Sequence, residues 1–229
     1  PAAVFVLQDP LDDALLQNIA IEMNLSETAF ILLRAQGHPL LRWFTPTLEI
    51  DLCGHATLAA AHIYLTEIMP DLESVTFDTK FVGPLRVDRD GEGYRMDFPS
   101  RPGEELRVED VPSFVLEGIG TDEMPIAAFK ARDLMLVYAH EQSVRNARPD
   151  FNALAKYKDF IGITARSADK TYDFVSRFFC ADDGITEDPV TGSFHCTATP
   201  YWGRQLGKQT LVAYQASKRG GELFLEIAG

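Results

Sequence analysis

The stretch EDPVTGSFHC, Glu187 to Cys196, sets an acid, a proline, a glycine and a hydroxyl directly ahead of TATPYW, which reads as the body of a helix. A glycine and a serine at a helix entrance expose unpaired backbone N–H groups, and such groups attract anions. Asp188 is out of place in an anion site unless it holds a proton or an ammonium group. The stretch is either a plain helix cap or half of an active site. An earlier segment, DLCGHAT, Asp51 to Thr57, has the same order of loop, glycine and helix.

Working outward from these two segments, the halves of the chain run in parallel. In the first half AAVFVL reads as a strand, and Leu11 to Met23 as an amphipathic helix with Leu15, Leu16, Ile19 and Met23 on one face. Asp12 and Asp13 stand at its entrance and Asn24 can end it. TAFILL and LLRWF read as strands, followed by the loop TPTLEIDLCG and the apolar helix HATLAAAHIYL. VTFDT, GPLRVD and YRMDFP are further strands, and the polar SRPGEELRVED reads as a linker. In the second half LMLVYA is a strand, DFNALAKY a helix, and FIGIT and YDFVSRFF strands. The loop CADDGITEDPVTG, the helix after Ser193 and the strands LVAYQ and GELFLEI complete the order. Arg42-Trp43-Phe44 lies opposite Arg177-Phe178-Phe179 at an offset of 135, while Gly54 lies opposite Gly192 and Leu85 opposite Leu223 at 138. A near-constant offset through one element order predicts a duplicated α+β lobe, residues 1–103 and 104–229. If the lobes pack about a pseudo-twofold axis, both helix entrances face the crevice between them, where small-molecule sites tend to lie.

Composition narrows the function. The 229 residues are 46% hydrophobic, ample for a buried core, and carry a formal net charge of −13. That charge argues against nucleic acid and against an anionic membrane as partners. No run approaches a membrane-spanning length, and mean hydropathy is −0.08. Cys53, Cys180 and Cys196 have no metal-ligand spacing, and their odd number disfavours a disulfide framework, which points to a reducing cytoplasm. The five histidines show no ligand spacing either, so no metal is expected. His62 and His195 read as structural, and His38 and His140 as loop residues. No G-x-S-x-G elbow, phosphate loop or dinucleotide fingerprint is present, which leaves hydrolase, kinase and dehydrogenase readings without support.

MNLSETAF, LRWFTPTLEIDLCGHATLAAAHI, EDPVTGSFHCTATPYW and RGGEL together resemble the PhzF-like phenazine-biosynthesis family, in the right order and across the whole chain. The resemblance implies the diaminopimelate epimerase-like fold: two pseudo-symmetric lobes, each a curved sheet or barrel around a central helix. Members usually carry a further strand at each end, so the start at Pro1 and the end at Gly229 point to truncation. The family reaction is a cofactor-free isomerisation in which one glutamate moves a proton on a small unsaturated carboxylic acid. Matched by motif, that glutamate is Glu27, with His55 and Asp188 as its catalytic companions. Gly54, Ala56, Thr57, Thr191, Gly192 and Ser193 become the substrate-binding residues, and a homodimer is implied.

Each residue keeps a plainer alternative. Glu27 follows a helix end, where a glutamate is most often a surface cap; as a base it has to be a partly buried carboxylate. His55 alone reads as a hydrogen-bonded structural histidine, and Asp188 as a turn cap ahead of Pro189. The sequence departs from the family twice. Phe194 stands where alanine is common, which predicts a narrower second helix entrance. Cys53 precedes Gly54 as in related epimerases and proline racemases, but the matching position is Thr191, so a two-cysteine, two-face mechanism is disfavoured. The readings carried forward are the isomerase, a cysteine-assisted racemase or epimerase, and a non-catalytic ligand-binding or interaction protein on the same fold.

Overall fold

The computed structural model describes residues 2–180 and 186–228, and the chain divides into two compact units, Pro1–Phe98 and Pro99–Gly229. The first five residues of the segment ADDGITEDPV lie outside the described residues.

The first unit runs β1 (Ala2–Leu7), α1 (Asp13–Met23), β2 (Glu27–Leu32), β3 (Leu40–Phe44), β4 (Glu49–Ile50), α2 (Gly54–Ile63), β5 (Ser74–Thr79), β6 (Leu85–Asp90) and β7 (Gly93–Met96). A single π-helical turn, Tyr64–Ile68, continues α2. Asp12 caps α1 by accepting from the Leu15 N–H at 2.8 Å, and Asn24 ends it in the left-handed region at φ 48°. The strands form one sheet in the order β1-β2-β3-β5-β6-β7, with β4 paired to β3. Ala56, Ala60 and Ala61 of α2 share one core cluster with Ala29, Ile31, Leu41, Trp43, Val75, Phe77, Leu85 and Val87. A single helix reaches strands across the whole sheet only if that sheet curls around it, and small alanines let the backbones approach. Of the LAAA run, Ala60 and Ala61 are fully buried, while Leu58 and Ala59 are partly so.

The second unit runs β8 (Glu104–Leu106), α3 (Ser113–Gly118), β9 (Ala127–Lys130), β10 (Leu134–Tyr138), α4 (Glu141–Arg145), α5 (Phe151–Leu154), β11 (Ile161–Arg166), β12 (Phe174–Phe179), α6 (Gly192–Leu206), β13 (Thr210–Gln215) and β14 (Gly221–Glu226). Its sheet has the order β14-β13-β12-β11-β10-β9-β8. Both faces are covered, which is why LMLVY and FVSRFF are buried at every position. On β12, Phe174 and Phe178 join Phe194, Ala198 and Trp202 of α6, whereas Val175 and Phe179 meet Val115, Val144 and Leu154 from α3 to α5.

The duplication is visible in strand pairing. β1 pairs parallel with β2 and β10 with β11; β2 is antiparallel to β3 and β11 to β12. The succession continues with β3 parallel to β5 and β12 to β13, then β5 antiparallel to β6 and β13 to β14. Each unit is therefore a mixed α+β lobe with its glycine-started helix against a sheet of one connectivity.

Three local expectations fail. The buried face of α1 is Leu16 and Ala20, with Leu15 and Met23 exposed, because only the stripe over Phe30 and Phe44 finds a partner. The segment SRPGEELRVED is not a plain linker: Glu104–Leu106 pairs with β9 through backbone hydrogen bonds that its acidic side chains do not advertise. DFNALAKY is only a short turn of helix, with α3 and α4 making up the rest of that layer. Pro200 sits inside α6, where it removes one N–H from the ladder. The Cys196 carbonyl left over accepts from the Arg101 N–H at 3.0 Å instead.

Candidate active site

In the first unit the left-handed turn at Asn24 brings the chain from α1 straight into β2, so Glu27 stands at the first position of that strand, paired with Ala2. The loop after β3 is tight: the Thr45 hydroxyl accepts from the N–H groups of Thr47 and Leu48, and β4 folds back so that Glu49 opposes Phe44. Cys53 then takes the cap position of α2 and makes no side-chain cap to the first N–H groups of the helix.

His55 joins the two elements. Its Nε2 lies 2.8 Å from Glu27 Oε2, and its Nδ1 lies 3.7 Å from Cys53 Sγ. The Glu27 side chain is 14% exposed and that of His55 37%. The facing atoms Oε2 and Nε2 are buried, yet among the described residues neither makes a well-directed hydrogen bond. Such loose geometry is common where a group tightens its bonds only on a ligand. Ala56 is fully buried, and the Thr57 hydroxyl donates to the Cys53 carbonyl at 2.6 Å, which ties it into its own helix.

The second unit builds the same kind of helix entrance by different means. Thr191 takes the cap position of α6, but its hydroxyl donates to Asp188 Oδ2 at 2.7 Å and accepts no N–H of the helix. Gln215 of β13, fully buried, accepts from the Thr191 N–H at 2.8 Å and donates to the Asp188 carbonyl at 2.7 Å. Ser193 is 8% exposed on the first turn. The His195 ring lies between the Thr191 carbonyl, 2.7 Å from Nδ1, and Ser176 Oγ, 3.3 Å from Nε2. Asp188, Thr191, Gly192 and Ser193 are thus gathered at one end of α6, with Gln215 beneath them.

Burial pushes the His195 imidazole down from 6.5 to about 4, partly opposed by the Thr191 carbonyl. Between those values the folded chain leaves His195 neutral while the unfolded chain protonates it, so acidification favours unfolding. The denaturation midpoint should therefore fall as pH drops from about 6.5 to about 4, and His195→Gln should flatten that part of the profile. Burial likewise pushes the Cys196 thiol up to about 11, which makes it a poor nucleophile.

Phe194 does not narrow the helix entrance. It is fully buried, its ring 5.4 Å from that of Phe178 and lying against Gly162, so it points into the core behind α6. The reason is helical geometry: one position past Ser193 is turned by roughly 100° around a helix of 3.6 residues per turn. His62 bonds the Tyr94 hydroxyl at 2.9 Å on the surface.

A clamp at each entrance was missed in the sequence. Arg42 holds Glu49 through two bonds of 2.6 and 2.8 Å, and Arg177 holds Glu187 through two of 2.7 and 3.0 Å. Each guanidinium lies 5.1 Å over a ring two positions on, Phe44 or Phe179, and each glutamate bridges back to that phenylalanine's backbone. The loops that deliver Gly54 and Gly192 are thereby fastened to their sheets by one device. The signal was present, because Glu49 and Glu187 share the offset of 138 found for the two glycines. Burial alone would raise Glu49, but Arg42 and Lys80 outweigh it and hold the carboxyl low. Glu187→Gln should cost roughly 3 kcal/mol, since it removes the paired carboxylate from a guanidinium only 11% exposed, whose Nη1 keeps the Val144 and Ala147 carbonyls. Glu49→Gln should cost less, because Arg42 keeps Asp13 at 2.7 Å. Urea denaturation of the two variants checks the order.

Comparison with known proteins places these features. The PhzC-PhzF family, described as phenazine biosynthesis-like protein, matches residues 1–229. An uncharacterised isomerase of Halalkalibacterium halodurans is 44% identical, covering 99% of this chain and 84% of its own. The human phenazine biosynthesis-like domain-containing protein is 34% identical, over 99% of this chain and 86% of its own. The crystal structure of a PhzF family protein from Enterococcus faecalis matches with a TM-score of 0.88 at 43% identity, over 100% of this chain and 85% of that one. Among the described residues no helix is long and apolar enough to cross a membrane.

Proposed function

Because the chain belongs to the phenazine biosynthesis-like family, we propose that it is an isomerase in which Glu27 moves a proton on a small carboxylic acid without a cofactor. The observation that carries the reading is the Glu27 carboxylate, largely withdrawn from water and 2.8 Å from His55 at an uncapped helix entrance. A carboxylate with no apolar packing role at such a place is a proton acceptor in reach of an anion cradle. The Oε2 atom takes a proton from one carbon of the substrate, the C–H electron pair passes into the conjugated system, and the same carboxyl returns the proton to another carbon on that face. His55 positions the carboxyl, and the N–H groups at Gly54 and His55 stabilise negative charge developing on the substrate. Asp188 and Ser193 are assigned to the substrate's polar groups.

Solvent deuterium incorporation into small unsaturated and amino carboxylic acids tests the activity; absence of exchange across such a panel would leave a binding protein on this fold. Ser193→Ala should weaken carboxylate binding by about 1.5–3 kcal/mol, the worth of one hydrogen bond to a charged group, with turnover at saturation largely kept. The second reading, a cysteine-assisted racemase or epimerase, draws on Cys53 Sγ at 3.7 Å from His55 Nδ1. It is the weaker one, because the matched residue Thr191 has a hydroxyl engaged with Asp188 where a second thiol would be needed. Relatives named isomerases favour neither mechanism over the other. The assembly is assigned as a homodimer, which light scattering measures directly.

A further inference from the structure

Glu27, Cys53 and His55 bring a carboxylate, a thiol and an imidazole to one point, with one ligand atom from each lying within 4.8 Å of the others. A tetrahedral zinc site has ligand atoms about 3.3–3.7 Å apart, given metal–ligand lengths of about 2.0–2.3 Å. Glu27 Oε2 stands 2.8 Å from His55 Nε2, and with one ligand atom taken from each residue no separation exceeds 4.8 Å, so the three donors are spread over distances that enclose that range. Small side-chain rotations suffice, since Cys53 and His55 sit two residues apart at the start of α2 and Glu27 is anchored on β2. Glu27 Oε2 and His55 Nε2 are buried and face each other at 2.8 Å without a well-directed hydrogen bond, a contact that a cation held between them would replace.

We propose that Glu27, Cys53 and His55 bind a thiophilic divalent cation such as Zn²⁺, leaving one coordination position open. The donor set selects the ion: thiolate and imidazole suit zinc, cobalt and cadmium and discriminate against magnesium and calcium, which prefer oxygen. Metal binding displaces the thiol proton, and the Glu27 oxygen that serves as proton acceptor becomes a ligand. The cation is therefore an inhibitor of proton transfer at this site rather than a helper. Sequence spacing hides the site because Glu27 lies 26 positions before Cys53, and the two meet only through the packing of α2 on β2.

The site itself does not depend on the proposed isomerase reaction, and its test needs no turnover. The metal-free protein is titrated with Co²⁺ alone while the thiolate-to-cobalt charge-transfer absorption and the visible bands of tetrahedral cobalt are followed. One equivalent should bind, Zn²⁺ should displace it, and a large excess of Mg²⁺ should not. Cys53→Ser, a near-isosteric change, should abolish the charge-transfer band and weaken binding at least about tenfold, given that even outer partners of a metal site are worth 10–100-fold. His55→Gln should remove tetrahedral binding while circular dichroism shows a folded chain. Cys180→Ser and Cys196→Ser should leave the spectrum unchanged. Failure to bind one equivalent overturns the proposal, as does a band that survives Cys53→Ser or disappears with Cys196→Ser. None of these results bears on whether Glu27 exchanges a substrate proton, so the two readings stand or fall separately.

Discussion

Glu27→Gln lowers substrate-dependent deuterium exchange by at least about a hundredfold while ligand affinity stays close to that of the parent, because general acid–base catalysis by one positioned group contributes typically 10²–10⁴-fold. Glutamine keeps the size of the side chain and can still face His55 Nε2 across the 2.8 Å contact, so the structural cost is small. What it loses is the proton-accepting oxygen. The matched change Cys53→Ala should leave most of the exchange intact. The opposite pattern, with exchange surviving Glu27→Gln and vanishing in Cys53→Ala, assigns the proton to the thiol and sinks the single-glutamate mechanism. Measuring the dissociation constant beside the rate separates lost chemistry from lost binding.

Phe194→Ala costs about 3–5 kcal/mol of folding stability, the range for deleting a fully buried aromatic ring. The ring packs 5.4 Å from that of Phe178 and 5.5 Å from that of His195, and it occupies the space a Cβ on Gly162 would need. A Cβ there would come within 2.0 Å of Phe194 Cε2, so Gly162→Ala forces the ring to move at a cost of about 1–3 kcal/mol. Because the two positions share one volume, Gly162→Ala combined with Phe194→Leu should cost less than the two single changes added. Urea denaturation of the four chains closes the cycle. If Phe194→Ala keeps its stability and instead alters ligand affinity, the ring lines the helix entrance as the sequence suggested.

Much of the architecture was legible before any coordinates. Apolar runs such as AAVFVL, FIGIT and LVAYQ are strands as read, and Gly54 and Gly192 each begin a helix. The repeated order of loop, glycine and helix reflects a real repetition of strand pairing, parallel and antiparallel in the same succession. What escaped the reading were elements held by backbone pairing or by neighbours rather than by pattern. Glu104–Leu106 is a strand with two acidic residues, and α3, α4 and α5 are four to six residues long, too short to show a period.

The sequence by itself determined which side chains stand near a helix entrance, because cap position and glycine placement are local properties of the chain. It also determined, through the shared offset, that two such entrances exist. Only the tertiary structure decided what each of those side chains meets. Glu27 meets His55 because β2 and α2 pack together; Gln215 reaches Asp188 and Thr191 because β13 lies beside β12. Phe194 in sequence predicts a narrower helix entrance, yet it is a core residue, since a helix turns each successive side chain by roughly 100° and the sheet, not the sequence neighbour, sets which direction is inward. Cys53 was read through its likeness to a catalytic cysteine, and its contact with His55 Nδ1 arises from side-chain directions at the first turn of α2. Order along the chain is written residue by residue, but convergence depends on register and packing between elements far apart in sequence, and those follow from the whole fold.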